Sequence, residues 1–167
     1  MKRKVPVPDR VEIEELMARY AWALDTGDFE GYAGCFTEDG WLEHWPQGRS
    51  VGRAGLKRAT DSLWYDKPNR YLGRQHWMGQ TIMTPEGEAG DAVRVKCFWV
   101  IVQHNVETFE NYIFGMGTWD TLAVKVDGVW KLKSVSVDLW IEGKVPWVGE
   151  SRAWAKPATS RKRGSSK

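Results

Sequence analysis

The sequence predicts an α+β fold, a cone-shaped curved antiparallel sheet wrapped around N-terminal helices. Helical patterns occupy 9–27, 29–36 and 53–64, and four long strand-like runs follow them without interruption by another helix. The last two runs are joined by Asp127-Gly128, a strong signal for a tight hairpin. Helices first and long antiparallel strands after imply helices packed on one face of a sheet. Strands of that length curl around a helix and leave a cone open at one end. A chain of 167 residues favours one domain and buries roughly 70% of its unfolded surface.

The elements follow in order. Residues 1–8 form a polar leader, and a single domain is expected over 9–150. Asp9 with Glu12 three residues later reads as a capping box opening the first helix. Ile13, Leu16, Met17, Tyr20 and Leu24 then recur on one helical face, and Glu15 and Arg19 form an i,i+4 pair on the wet side. Gly27 suits the helix stop and Asp28 the cap of a short second helix over 29–36. Glu38-Asp39-Gly40 reads as a turn and 41–45 as a first short strand, closed by 46–48. A third helix is expected over 53–64. The long strands are expected at 73–83, 91–103, 112–126 and 129–141. On the first of these, strict alternation puts Arg74, His76, Met78, Gln80 and Ile82 on one face.

Charge is unevenly distributed. The formal net charge is +2, yet Lys2, Arg3, Lys4 and six cations from Arg152 onward lie in ends that carry no acid, so 5–151 holds −7. An acidic body excludes the basic folded face of a nucleic-acid-binding domain. The segment 151–167 reads as a basic, disordered tail. No apolar stretch follows the basic start, and no window reaches the length of a membrane-spanning helix, so a cytoplasmic protein is expected. Cys35 and Cys97 lie far apart in apolar stretches and read as buried free thiols. His44, His76 and His104 are scattered, and there is no His-x3-His or Cys-x2-Cys spacing, so no metal is expected. Nor is there a glycine-rich phosphate loop or a nucleophile elbow, which leaves cofactor-independent chemistry. Eleven tryptophans fit an aromatic-lined cavity for a flat or polycyclic ligand as well as a Trp-rich core. Trp41, Trp64 and Trp99 are the candidates for its wall.

Three residues carry the candidate chemistry. Asp25 ends the first helix, where the helix dipole already places partial negative charge, so an acid there is electrostatically unfavourable. His76 sits on the first long strand, and a neutral imidazole is a suitable base near neutral pH. Tyr20 lies five positions before Asp25, on the helix's inner face. Asp138 and His104 are weaker candidates on later strands.

The segments Ala23-Leu24-Asp25-Thr26-Gly27-Asp28, Arg74-Gln75-His76-Trp77-Met78-Gly79, Gly117-Thr118-Trp119-Asp120 and Asp127-Gly128-Val129-Trp130-Lys131 together resemble the SnoaL-like branch of the nuclear transport factor 2-like superfamily, over roughly 10–147. Gln75-His76-Trp77-Met78-Gly79 is similar to the Gln-His-aromatic-aliphatic-Gly segment of scytalone dehydratases, and the Tyr20-to-Asp25 spacing to bile-acid 7α-dehydratases. The resemblance implies a cofactor-free lyase on a small apolar cyclic or polycyclic substrate. In it His76 is the base, Asp25 its orienter and Tyr20 the assistant of the leaving hydroxyl or of the developing enolate oxygen. An isomerase or cyclase with the same pair is the near alternative. A non-catalytic ligand-binding protein, or one like the β subunit of ring-hydroxylating dioxygenases, is the distant one. A homo-oligomer, trimer or dimer, is also implied, because β-strand 91–103 is apolar on both faces towards its end.

The chain also departs from these enzymes. The arginine that dehydrochlorinases carry after the Gly-x-Trp-Lys strand falls here at Val135. The Ser and Asn that scytalone dehydratases carry on the preceding strand fall at Gly117 and Trp119. The groups that bind water and carbonyl there are therefore missing or replaced.

Overall fold

The computed structural model describes residues 4–44, 48–67, 71–87 and 90–140. Helix α1 spans Val7–Thr26 and starts ahead of the predicted capping box. Pro6 and Pro8 set helical φ where N–H groups have no intrahelical partner, so the helix opens without a side-chain cap. Asp9, released from capping, accepts hydrogen bonds from Lys125 Nζ (2.7 Å) and Trp130 Nε1 (3.1 Å), clamping the distant hairpin to the helix start. The Lys125 hydrogen bond holds the Asp9 carboxyl below the usual carboxylate range. The face foreseen from periodicity is the buried one: Ile13, Leu16, Met17, Tyr20 and Leu24 all lie in the core.

The helix stops at Gly27, with φ at 79°. A Cβ there would meet the Tyr71 hydroxyl at 2.1 Å, so position 27 needs glycine for backbone and for space. Asp28 then caps α2 (Phe29–Gly34) by accepting from the Gly31 N–H at 2.9 Å.

Among the described residues six strands form one sheet: β1 Phe36–His44, β2 Gly48–Val51, β3 Arg74–Glu86, β4 Ala92–His104, β5 Asn111–Val126 and β6 Val129–Leu139. Their order is β2-β1-β6-β5-β4-β3. The last four make the antiparallel meander expected. The sheet is nevertheless mixed, because β1 pairs parallel to β6. Glu38-Asp39-Gly40 is a register irregularity inside β1 rather than a turn before it. Strand β2 was not foreseen, being four residues with no buried position. Helix α3 (Gly52–Thr60) runs into a single π-helical turn, Asp61–Tyr65, which carries Trp64.

The alternation on β3 breaks at a point that its residue pattern does not mark. Register shifts between Gly79 and Ile82, and Gln80 adopts φ 48°. This bulge inverts the following residues: Arg74, His76 and Met78 face inward as expected, but Gln80 and Ile82 turn out and Thr81 and Met83 turn in. Strand β4 alternates without a break, burying Val93, Val95, Cys97, Trp99 and Ile101 under α1. Cys35 and Cys97 are both buried free thiols. No described helix is long and apolar enough to cross a membrane.

Candidate active site

The last turn of α1 lies against β3, and this contact brings Asp25 to His76. Asp25 Oδ1 is 2.5 Å from His76 Nδ1, and Asp25 Oδ2 accepts the His76 backbone N–H at 2.7 Å. One carboxylate thus grips both the ring and the backbone of the same residue, which fixes the imidazole's orientation. The two hydrogen bonds offset the cost of an acid at the negative end of a helix dipole. Both side chains are enclosed, His76 at 4% exposure and Asp25 at 14%. Because a carboxylate only accepts, Nδ1 carries a proton, and in the neutral ring Nε2 holds the free lone pair.

Aromatic rings surround the imidazole. Trp119 stacks on it (centroids 5.7 Å, 29°), Trp99 lies 6.5 Å away at 52°, and Trp64 meets it edge-on at 6.3 Å. With Tyr20, Leu24, His44, Ile101 and Val137 they line a cavity of about 20 Å³. That is room for about one water molecule. At His76 the deep cavity expected from the tryptophan count, on the order of 300 Å³, is therefore not found; the larger hollows lie elsewhere, about 700 Å³ beside α1, α2 and the start of β6 and about 360 Å³ over β3, β4 and β5. Indole rings large enough to build such a wall pack against one another and fill the space, Trp99 on Trp119 at 6.3 Å.

Tyr20 is buried and reaches the same cavity, its ring edge-on to Trp119 at 5.3 Å and tilted on Tyr32 at 5.2 Å. Burial pushes its phenol far above the ordinary range, so it is a protonated donor at any physiological pH.

The other candidates divide. Trp64 and Trp99 line the cavity, whereas Trp41 does not; its ring lies under the Arg49 guanidinium, 3.8 Å from the centroid. His104 also falls outside, its Nδ1 2.9 Å from Asn111 Oδ1 at the end of β4. Asp138 is exposed on β6, opposite Thr118. Five lining residues were not among the candidates: the aliphatic Leu24, Ile101 and Val137, and two that carry rings, His44 and Trp119. His44 meets Trp64 edge-on at 5.9 Å and shares β1's inward face with fully buried Leu42. Trp119 occupies the inward phase of β5 with Thr121 and Ala123. Strand alternation held the signal for both. Among the described residues no cluster of three or more His, Cys, Asp or Glu side chains is placed to hold a metal ion.

Solved structures resemble this chain over most of its length. A variant of Rv3472, a protein of unknown function from Mycobacterium tuberculosis, is 26% identical, with 79% of this chain and 72% of that one covered and a TM-score of 0.66. A nuclear transport factor 2-like protein with a cystatin-like fold from Novosphingobium aromaticivorans is 23% identical, covering 89% and 87%, TM-score 0.69. A protein from the same organism provisionally described as a scytalone dehydratase is 21% identical, covering 81% and 86%, TM-score 0.66. The last two establish the fold alone. No curated protein matches the chain. The SnoaL-like domain model matches residues 6–136, a span that includes Tyr20, Asp25 and His76, and the chain belongs to the SnoaL-like domain family.

Proposed function

We propose that this chain is a cofactor-independent lyase of the dehydratase type, acting on a small apolar cyclic or polycyclic substrate. The family includes polyketide cyclases and dehydratases, whose chemistry begins with loss of a proton from carbon. The observation that carries the proposal is the pair of hydrogen bonds from His76 to Asp25, which leaves Nε2 as the free basic atom beside the cavity. Nε2 takes a proton from a carbon activated by a neighbouring carbonyl or ring. Asp25 stabilises the imidazolium that forms and keeps the productive tautomer. The Tyr20 phenol donates a hydrogen bond to the oxygen on which charge grows. The imidazolium then returns its proton to the departing hydroxyl, water leaves, and neutral histidine is restored. Return of the proton to another carbon gives the double-bond shift instead.

A non-catalytic reading is favoured by one observation, the 20 Å³ cavity, which admits no ring unless an indole moves. Deuterium exchange separates the two. Cyclic β-hydroxy-ketones incubated in D₂O should exchange the activated C–H, and lose water, with wild type. Exchange that is equal for wild type and a folded His76→Ala variant would leave the non-catalytic reading standing.

A further inference from the structure

The indole Nε1 of Trp99 is buried and has no hydrogen-bond partner, although Trp99 is only 4% exposed. A buried donor left unpaired costs free energy that a partner of any kind would recover, so the group calls for an acceptor. Thr121 Oγ1 is also buried without a partner, but Thr121 does not line the cavity at His76; Trp99 does, and it also borders the groove over β3, β4 and β5.

The seat of this indole is built by β5. Trp99 lies opposite Gly117 in the β4–β5 register. A Cβ on Gly117 would come within 2.8 Å of Trp99 Cζ2 and within 1.8 Å of the Asp138 carbonyl oxygen. A Cβ on Gly115 would touch Cη2 and Cζ3 at 3.9 Å. Glycine inside a strand weakens it and marks a close approach, and here the approaches are those of the Asp138 backbone and of the Trp99 benzo edge. Trp119, two residues on, stacks against the same indole at 30°. Gly117 and Trp119 thus hold in place an aromatic side chain with one N–H to give.

We infer that Trp99 Nε1–H is the hydrogen-bond donor to a carbonyl oxygen of the substrate, which makes that substrate a cyclic ketone and not merely an apolar ring. The inference rests on proton abstraction by His76 and specifies its substrate class. As Nε2 takes the proton α to the carbonyl, the C–H electrons become the enolate double bond and the carbonyl π electrons move to oxygen. The indole N–H meets that oxygen. The electrons then return, the β-hydroxyl departs, and it takes the proton from His76 as water. A fixed donor aimed where charge develops strengthens in the transition state.

The test uses the full chain labelled with ¹⁵N-tryptophan. The probes are 2-tetralone and tetralin, which differ in the carbonyl. The Trp99 indole resonance is assigned by its absence in Trp99→Phe. We expect 2-tetralone to move the Trp99 N–H resonance downfield and to bind about 10-fold more tightly than tetralin, and the two to bind alike in Trp99→Phe. His76→Ala should abolish exchange and elimination yet keep the Trp99 shift, so that failure of the base and failure of the donor are read separately. A Trp99 resonance unmoved by 2-tetralone, equal affinities in wild type, or no binding of the ketone would each overturn the inference. Should Trp99→Phe not fold, the ratio of the two affinities in wild type decides alone.

Discussion

Asp25 holds His76 twice, by its ring nitrogen and by its own backbone N–H. The second bond distinguishes this arrangement from a simple ion pair. It ties the register of β3 to the end of α1, so the imidazole is aligned by the fold as well as by the carboxylate. Replacing Asp25 therefore perturbs two things that can be separated. Asp25→Asn keeps an acceptor for the backbone N–H but cannot stabilise imidazolium. It should fold and lose about 10²-fold or more in turnover. Asp25→Ala also strands a buried amide and should lower the melting temperature. His76→Ala should lose about 10²–10⁴-fold in rate. Steady-state turnover of cyclic β-hydroxy-ketones, read beside thermal melts, distinguishes these outcomes. A melting temperature unchanged in Asp25→Ala would show that the backbone bond contributes nothing.

Trp64 is the ring best placed to admit a substrate. It sits on the π-helical turn Asp61–Tyr65, between His44 and His76, and such turns break the regular ladder of the helix. Truncating it removes bulk from a wall that now closes around 20 Å³. Trp64→Ala should cost about 3–5 kcal/mol of stability, the usual range for emptying a large aromatic site. It should also lower KM for bulky ketones relative to small ones. Denaturant melts and a KM series across substrate size check both. A KM pattern that does not depend on size would mean that Trp64 is core and not a gate.

The sequence-level reading succeeded where period alone decides and failed where packing decides. The α1 face from Ile13 to Leu24 and the alternation of Val93 to Ile101 are properties of spacing, and both are buried as spacing requires. The helix-end acid and strand histidine were legible through the resemblance of their segments to the SnoaL-like pattern; alone, Asp25 also fits a turn acid and His76 a core histidine. The Gly79–Gln80 bulge was not, since nothing marks Gln80 for a positive φ, and one extra residue reverses every side chain after it. The parallel β1–β6 pairing was hidden in the same way, because β1 is separated from β6 by the whole meander. Composition counted the indoles but could not say that Trp64, Trp99 and Trp119 would pack around His76 and close the cavity. His104 entered by a loose alignment, and Asp138 as an acid in the closing strand of a kind the resemblance suggests. Their strands place them away from His76.

The Asp9 clamp gives the fold an acid-sensitive fastening. The Lys125 hydrogen bond keeps the folded-state carboxyl below its unfolded value, so the stabilisation is fully present above the unfolded carboxylate range, about pH 4. It is lost as pH falls through the folded value. Asp9→Asn should lower the melting temperature at pH 7 by a few degrees and flatten the acid limb of the stability curve below pH 4. Melts between pH 3 and 7 on both proteins check this. Parallel acid limbs would show that other carboxylates govern the transition.

The outer face of the sheet should be covered by a second copy of the chain. Trp77 (61% exposed), Phe98 (39%) and Met116 stand together on β3, β4 and β5, around a groove of about 360 Å³. Side chains of this kind in one contiguous patch mark an interaction surface. The Gly79–Gln80 bulge also turns Ile82 outward on β3, opposite Lys96. A symmetric assembly sets the same apolar patch of each copy against its neighbour, as a dimer or trimer. Light scattering at micromolar concentration should give a multiple of the 19.1 kDa chain mass. Phe98→Glu, which places a charge in the middle of the patch, should shift that mass to the monomer while leaving far-UV circular dichroism unchanged. The Asp25–His76 hydrogen bonds lie within one chain, on the inner face of the sheet. The monomer should therefore keep proton exchange with cyclic ketones if the fold holds. A wild-type protein that scatters as a monomer at that concentration would leave the patch without its partner and remove the assembly.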